Sequence, residues 1–277
     1  MEAIEKKSLL YKSKVEYADF CINHVLGCSH GCTYPCYAMM MAKRFGQIKN
    51  YADWIKPRLV SNALELLDKE IPKYKDQINF VHLCFTTDPF MYKHKEVMDL
   101  SLKIIEKLNQ HGIKSTTLTK GIYPVELRDK KKYGYDNIYG ITLVSLDERF
   151  KKQFEPFSAP FMGRVMSLKR LHDAGLKTWV SIEPYPTPNL IKQDLLELLE
   201  KVSFVDKIIF GKLNYNVKSG EFKENISFYG DCARKVIRFC TERGIDYHIK
   251  YGTQIKETTK TRNILKINSL DGSTSVV

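Results

Sequence analysis

The most informative stretch for the architecture is INFVHLCFTTD, residues 78–88, with KEVMDLSLKIIEKLNQHG, residues 95–112, close behind it. The first segment is a short apolar run that ends in polar residues, as a buried strand does. In the second segment, apolar residues recur at helical spacing from Val97 to Leu108, and Gly112 suits the position after a helix. The pair predicts one β/α unit.

The same alternation continues along the chain. Further strands are predicted over residues 20–27, 113–121, 138–147, 176–185, 205–213 and 245–252, and helices over 36–45, 161–175, 189–202 and 228–244. Six or seven β/α units with apolar strands predict an α/β protein, a partial or complete parallel (β/α) barrel. We expect one domain over residues 1–253 and a polar tail over 254–277. In such barrels the chemistry collects at the C-terminal ends of the strands.

Composition narrows the class of protein. The 277 residues are 43% hydrophobic, and no apolar stretch approaches the length of a membrane span. The N-terminal residues also lack the apolar core of a secretory signal, so we expect a cytoplasmic protein without membrane contact. The net charge of +12 favours encounters with polyanions, which makes nucleic acid a candidate partner.

Three of the seven cysteines lie on one short loop, GCSHGCTYPCYAMMMAKRFG, residues 27–46. Cys28, Cys32 and Cys36 are soft ligands that select zinc or an iron–sulfur cluster. A structural zinc site needs four ligands, commonly two separated Cys-x2-Cys pairs, and the sequence has no second pair. Three thiolates on a [4Fe–4S] cluster would leave one iron open to an external ligand.

Two other interpretations of this loop stay open. The first is a zinc site that recruits Cys21, His24 or His30, and the second is three free thiols without a metal. Cys232 and Cys240 are eight residues apart in a predicted helix and are expected to be core residues. A metal-free barrel enzyme such as an aldolase would not explain the cysteine spacing.

The segment GCSHGCTYPCYA, residues 27–38, resembles the cluster-binding loop of radical S-adenosylmethionine enzymes, in particular the branch that contains spore photoproduct lyase. The resemblance continues in order through CFTTDPF (84–90), TLTKG (117–121), ITLVSLD (141–147) and the segment 154–189. The loop departs from the family in one respect. The family spacing is Cys-x3-Cys-x2-Cys, whereas Pro35 lengthens the second interval here to three residues.

The resemblance implies a [4Fe–4S] cluster on Cys28, Cys32 and Cys36, with S-adenosylmethionine as the second cofactor. It also implies a one-electron donor such as flavodoxin or ferredoxin. Lys120 matches the family position that pairs with the S-adenosylmethionine carboxylate, although a solvated surface lysine is the alternative. Ser145 matches a polar position that contacts the ribose or methionine moiety, or it forms a turn.

Further cofactor-binding candidates follow from the same resemblance. Thr86, Thr87 and Asp88 match contacts to the amino group, although Asp88 before Pro89 is also typical of a turn. Tyr37 resembles the aromatic residue that approaches the adenine, or it shields the cluster. Gly211 would permit close backbone approach to the adenine, or it is a tight turn.

Two expectations concern charge and hydrogen transfer. Glu155, Arg164 and Glu183 are expected to form an ion pair that ties the barrel together, with direct substrate contact as the alternative, and Glu183 is also a cofactor-binding candidate. Spore photoproduct lyases donate a hydrogen atom from a cysteine, so Cys84 is the candidate catalytic donor, with a small buried hydrophobe as the alternative.

The sequence therefore predicts a lyase-like radical S-adenosylmethionine enzyme whose substrate is open, with nucleic acid as one candidate. The alternative is a non-catalytic nucleic-acid-binding protein with a structural metal site.

Overall fold

The computed structural model describes residues 1–13 and 18–253, in which strands and helices alternate along most of the chain. The predicted tail, residues 254–277, lies outside the described residues. The strands are β1 (Glu2–Ile4), β2 (Leu10–Lys12), β3 (Phe20–Ile22), β4 (Val25–Leu26), β5 (Arg58–Val60), β6 (Phe80–Leu83), β7 (Lys114–Thr119), β8 (Ile138–Thr142), β9 (Lys177–Tyr185), β10 (Lys207–Lys212) and β11 (Asp246–Ile249).

The helices connect these strands and cover the sheet. They are α1 (Tyr37–Arg44), α2 (Tyr51–Trp54), α3 (Ala63–Tyr74), α4 (Lys95–Gln110), α5 (Lys130–Tyr133), α6 (Glu148–Phe154), α7 (Phe161–Asp173), α8 (Leu195–Lys201), α9 (Val217–Gly220) and α10 (Asn225–Arg243). Among the described residues, none of these helices has the length and apolar character of a transmembrane segment.

The main sheet has eight strands in the order β2-β3-β6-β7-β8-β9-β10-β11. All neighbours in it are parallel except β2, which pairs antiparallel with β3. Val81 on β6 lies opposite Phe20 on β3 and Ser115 on β7, which defines the register of these three strands. No pairing within residues 1–13 and 18–253 joins β2 to β11, and the predicted barrel is therefore partial.

The predicted β/α unit at residues 78–112 is confirmed. Helix α4 buries Val97, Ile104 and Leu108 on one face, and Gly112 follows it with a φ of +70°. This left-handed conformation costs glycine little, which is why the helix ends there. The strand is shorter than predicted, because β6 ends at Leu83 and the chain then turns.

Two predicted elements differ from the structure. The predicted strand 20–27 is split, since β3 joins the main sheet whereas β4 pairs with β5 in a second sheet of order β1-β5-β4. Asn23 lies at the break, where its side chain donates to the Tyr11 hydroxyl and accepts from the Thr86 backbone N–H. The predicted helix 189–202 forms only over α8, because Asp194 caps its first turn.

The core lies between the main sheet and the helices. Ile22, Val81, Ile141, Val180 and Ile208, from five different strands, are fully buried in one cluster. Strand β7 differs from the apolar pattern expected of a buried strand. Its buried residues are the polar ones, Ser115, Thr116, Thr117 and Thr119.

Candidate functional site

A cavity of about 440 Å³ opens at the C-terminal ends of the parallel strands. The cysteine loop forms one part of its wall, and the residues that follow β6 and β7 form another. The ends of β9, β10 and β11 complete it. Ten of the residues singled out by sequence line this cavity: Cys28, Cys32, Cys36, Tyr37, Cys84, Thr86, Thr87, Asp88, Lys120 and Glu183.

The cysteine loop leaves β4 and ends at α1. The Cys28 backbone N–H donates to the Trp54 carbonyl at 2.8 Å, and Cys36 directly precedes the first residue of α1. All seven cysteines of the chain are free thiols. Burial raises the pKa of Cys28, and burial together with the nearby Cys32 raises the pKa of Cys36 to about 11. These thiols need a positive partner to ionise, and a bound metal supplies one.

The site suits a cluster better than a single ion. Among the described residues, no group of three or more His, Cys, Asp and Glu side chains could hold one metal ion. A cubane cluster binds each cysteine through a different iron, so it accepts sulfurs that are further apart than the ligands of a single zinc ion are. The three thiols on one cavity wall therefore fit a [4Fe–4S] cluster.

The two histidines of the zinc interpretation are engaged elsewhere. His24 bonds to the Ser101 hydroxyl at 2.7 Å and faces the Cys84 sulfur at 3.5 Å. The Nε2 of His30 accepts from the Tyr92 backbone N–H at 3.0 Å, and its Nδ1 lies 3.4 Å from Asp88. The structure gives the zinc interpretation no support within residues 1–13 and 18–253.

Asp88 organises the turn after β6. Its carboxylate accepts from the Thr119 hydroxyl at 2.6 Å and from the backbone N–H groups of Phe90 and Lys120 at 2.8 and 2.7 Å. Burial raises the pKa of Asp88 to about 6, although these hydrogen bonds oppose the shift. The polar residue Thr119 of β7 is thus buried because its hydroxyl bonds to Asp88. This bond joins the end of β7 to the loop that follows the neighbouring strand β6.

Lys120 belongs to a buried network and is not the solvated surface lysine of the alternative interpretation. Its Nζ lies 3.2 Å from Glu155 Oε1 and 3.5 Å from the Cys32 sulfur, and it also bonds to the Tyr34 hydroxyl. Only 15% of its side chain is exposed. The network places one positive charge beside a cysteine of the candidate cluster site.

Glu155 and Arg164 form the expected ion pair, with a separation of 2.6 Å and no exposed surface on either side chain. Glu183 does not take part in it, and the prediction was wrong there. Glu183 instead lies 3.7 Å from Lys250 on the cavity wall. Burial alone would raise the pKa of Glu155, but the charges of Arg164 and Lys120 lower it to about 2.

Cys84 follows β6 with a φ of +57°, which is unusual for a residue other than glycine. Such a conformation costs about 1–3 kcal/mol and clusters at functional sites. The thiol is 3% exposed, and burial raises its pKa to about 12, so it stays protonated. Thr87 next to it donates to the Val25 carbonyl at 3.2 Å.

Two candidate residues do not reach the cavity lining. The Ser145 hydroxyl accepts from the Asp147 backbone N–H at 3.0 Å, which is the turn contact of the alternative interpretation. A Cβ on Gly211 would lie 2.8 Å from the carboxyl carbon of Glu183. Gly211 therefore makes room for Glu183. Cys232 and Cys240 are buried in α10, as expected of core residues.

Several lining residues were missed by the sequence analysis. His82, Lys212, Asn214, Tyr215 and Lys250 also line the cavity. Lys212 and Lys250 lie at the ends of the predicted strands 205–213 and 245–252, so their position was the signal that could have identified them. Tyr215 stacks on Tyr37, with ring centroids 6.5 Å apart and an interplanar angle of 25°. That contact joins residues far apart in sequence and gives no local signal.

Comparisons with known proteins agree with this geometry. The family model described as the Radical SAM superfamily matches residues 22–202. An uncharacterised protein of Acidianus two-tailed virus is 27% identical over 191 residues, which cover 65% of this chain and 60% of the viral protein. The match thus spans less than two thirds of that relative. An uncharacterised protein of Methanocaldococcus jannaschii is 28% identical over 223 residues, 79% of this chain and 80% of the relative.

Solved structures of spore photoproduct lyase share the fold. A complex of that enzyme with dinucleoside spore photoproduct matches with a TM-score of 0.63 and 16% identity, covering 90% of this chain and 81% of the lyase. A lyase variant with bound AdoMet and dinucleoside spore photoproduct matches with a TM-score of 0.62 and 14% identity over the same shares of the two chains.

The buried pair generates a stability prediction. Glu155→Gln leaves Arg164 and Lys120 without their counter-charge, so we expect the free energy of unfolding at pH 7 to fall by about 3–5 kcal/mol. Because the folded-state pKa of Glu155 is about 2 against an ordinary 4.5, its stabilisation is complete above pH 4.5 and is lost as the pH falls towards 2. Denaturant unfolding of wild type and Glu155→Gln between pH 7 and pH 2.5 measures both the loss of stability and its dependence on pH.

The matched control is Arg149→Ala, which removes an exposed ion pair with Asp147. We expect it to lower the free energy of unfolding far less than Glu155→Gln does, because solvent screens an exposed ion pair. If the difference in the free energy of unfolding between wild type and Glu155→Gln does not become smaller below pH 4.5, Glu155 is not the stabilising charge.

Proposed function

This chain belongs to the radical SAM superfamily, and from that premise we propose that it is a lyase-like enzyme that cleaves S-adenosylmethionine reductively and starts its reaction by hydrogen-atom abstraction. The family uses a [4Fe–4S] cluster and S-adenosylmethionine, which together supply a 5′-deoxyadenosyl radical. The observation that carries the proposal is the convergence of Cys28, Cys32 and Cys36 on one cavity at the C-terminal ends of the parallel strands.

The chain's own residues have distinct tasks in this proposal. Cys28, Cys32 and Cys36 hold three irons, and the Lys120 ammonium beside Cys32 provides the charge that a cofactor carboxylate needs. The loop at Thr86–Asp88 takes the amino group, and the exposed Tyr37 ring takes the adenine.

The cofactor assignment generates a direct test. Protein reconstituted anaerobically with iron and sulfide is expected to be brown and to release 5′-deoxyadenosine from S-adenosylmethionine when dithionite is added. Cys32→Ser removes one cluster ligand and is expected to lower both the iron content and this release to background, because three thiolates are needed. Iron analysis and chromatography of the nucleoside are the measurements.

Cys240→Ala is the matched control, since it removes a buried cysteine of α10 that lies outside the cavity lining. It is expected to keep wild-type iron content. Bound zinc without nucleoside release would instead favour the non-catalytic, nucleic-acid-binding alternative.

The proposal includes the partners and location expected from sequence. Reduced flavodoxin or ferredoxin is the proposed electron donor, and either should replace dithionite in the same assay. The cytoplasm is the proposed location, because seven free thiols suit a reducing compartment.

Nucleic acid is the proposed substrate class. The net charge of +12 supports this, as do Lys212 and Lys250 on the cavity wall and the exposed ring of Tyr215. Lysines neutralise phosphates, and tyrosine rings stack on an unpaired base, which a radical enzyme must reach outside the base stack.

Salt dependence tests the substrate class. We expect the affinity for single-stranded DNA to fall steeply as salt rises from about 50 to 200 mM, because released counterions drive binding. Lys212→Gln should reduce the slope of log affinity against log salt by about 1. Lys201→Gln, which changes an exposed lysine at the end of α8, is the control and should leave the slope unchanged. Affinity that does not respond to salt would argue for a small metabolite or peptide instead.

Cys84 is the proposed hydrogen donor. In this step the S–H bond breaks, a C–H bond forms on the substrate radical, and the unpaired electron stays on the Cys84 sulfur. Two observations on Cys84 support this role: the thiol is protonated, and it lines the cavity.

The dinucleoside spore photoproduct is a suitable probe for this step. In D2O the exchangeable thiol carries deuterium, so the wild-type product should gain deuterium and the Cys84→Ala product should not. Iron content and 5′-deoxyadenosine release should stay within about twofold of wild type, because Cys84 binds no iron in this proposal. Equal labelling by both proteins, measured by mass spectrometry, would exclude Cys84 as the donor.

A further inference from the structure

The residue pair Tyr34-Pro35 lies between two of the cluster cysteines, where this chain has one residue more than its family. Both residues line the cavity, and Tyr34 is only 3% exposed. The Tyr34 ring packs against Phe150 and Phe154 of α6, with centroid separations of 6.2 and 6.3 Å. Tyr34 thus belongs both to the hydrophobic core and to the cavity wall, and Pro35 separates it along the chain from Cys36.

The backbone of the loop is fastened to α6 as well. The Thr33 N–H donates to the Phe154 carbonyl at 3.0 Å, and the Thr33 hydroxyl donates to the Gln153 carbonyl at 2.9 Å. Cys32 and Cys36 therefore flank a segment that is held at several points.

The Tyr34 hydroxyl reaches the fully buried carboxylate of Glu155. It donates to Glu155 Oε1 at 2.7 Å, and Lys120 bonds both to that carboxylate and to the Tyr34 hydroxyl. The Lys120 Nζ also lies 4.6 Å from the centre of the Tyr34 ring. Tyr34 thus contacts the lysine through its hydroxyl and through its ring.

The second carboxylate oxygen of Glu155, Oε2, is held by Arg164. Arg164 bonds to Glu155 Oε2 and donates to the carbonyls of Ala159 and Thr142 at 3.0 and 2.9 Å. Because Arg164 is fully buried and tied to the end of β8, Glu155 cannot follow Lys120 if the lysine moves. The position of the Lys120 ammonium therefore depends on Glu155 and Tyr34 together.

We propose that Tyr34 is a positioning residue, whose hydroxyl, with Glu155, holds the Lys120 ammonium beside Cys32 so that it meets the carboxylate of S-adenosylmethionine. The inference rests on the proposed function. It also connects Tyr34 with the longer cysteine spacing, since Pro35 is the residue that stands between Tyr34 and Cys36 in the chain.

Tyr34→Phe separates this role from packing, because the ring stays and only the hydroxyl is lost. The reduced cluster's electron paramagnetic resonance spectrum is recorded while S-adenosylmethionine is added. Tyr34→Phe is expected to need about tenfold more S-adenosylmethionine for the same spectral change, as is typical of a lost hydrogen bond to a charged group. Iron content and the maximal rate of 5′-deoxyadenosine release should stay within about twofold of wild type.

Tyr139→Phe is the matched control. Its hydroxyl accepts from the Asn137 side-chain amide at 3.4 Å, Tyr139 is fully buried, and neither residue lines the cavity. It should not change the S-adenosylmethionine concentration that is needed. Equal titrations of Tyr34→Phe and wild type would overturn the inference.

Deletion of Pro35 is a second, independent variant, and it restores the usual family spacing. We expect it to weaken S-adenosylmethionine binding at least as much as Tyr34→Phe does, because Tyr34 can then no longer reach Glu155. Unchanged binding by the deletion variant would also overturn the inference. If wild-type protein takes up no iron, the proposed function itself fails, and this outcome is distinct from a failure of Tyr34 alone.

Discussion

The carboxylate of Glu155 is buried without any exposed surface, and such a charge is tolerated only if its partners surround it. Arg164, Lys120 and Tyr34 supply those partners from three different parts of the chain. One compensated charge therefore joins α7, the end of β7 and the cysteine loop. Leaving any of these groups unpaired would destabilise the fold. The arrangement of the site and the stability of the fold therefore depend on each other.

The parallel sheet explains why these groups meet. In a sheet of parallel strands every C-terminal end lies at the same edge, so the loops after β6, β7, β9 and β10 converge without long connections. The polar strand β7 fits this geometry. Its Thr119 hydroxyl is buried because it binds Asp88, and Asp88 in turn holds the backbone of Lys120.

Electrostatics divides the cavity into two sides. On one side, Lys120 lies beside the cysteines in a network of two cations and one carboxylate, which leaves a net positive charge there. On the other side, Lys212 and Lys250 stand near Glu183, Tyr215 and the mouth of the cavity. Lys212, Tyr215 and Lys250 lie beyond the 22–202 segment that matches the family model, whereas Glu183 lies within it.

The sequence by itself determined the β/α alternation, the helix α4 with its glycine end, and the cysteine loop, because hydrophobic period and ligand spacing are local patterns. It could not show that strand 20–27 splits at Asn23, or that Glu183 pairs with Lys250 instead of Arg164, since several acidic and basic residues had equivalent local contexts. Only the tertiary structure brought Tyr34, Lys120 and Glu155 together. Residues up to 121 positions apart meet there because burial of one charge selects its partners by distance in space, which no local pattern records.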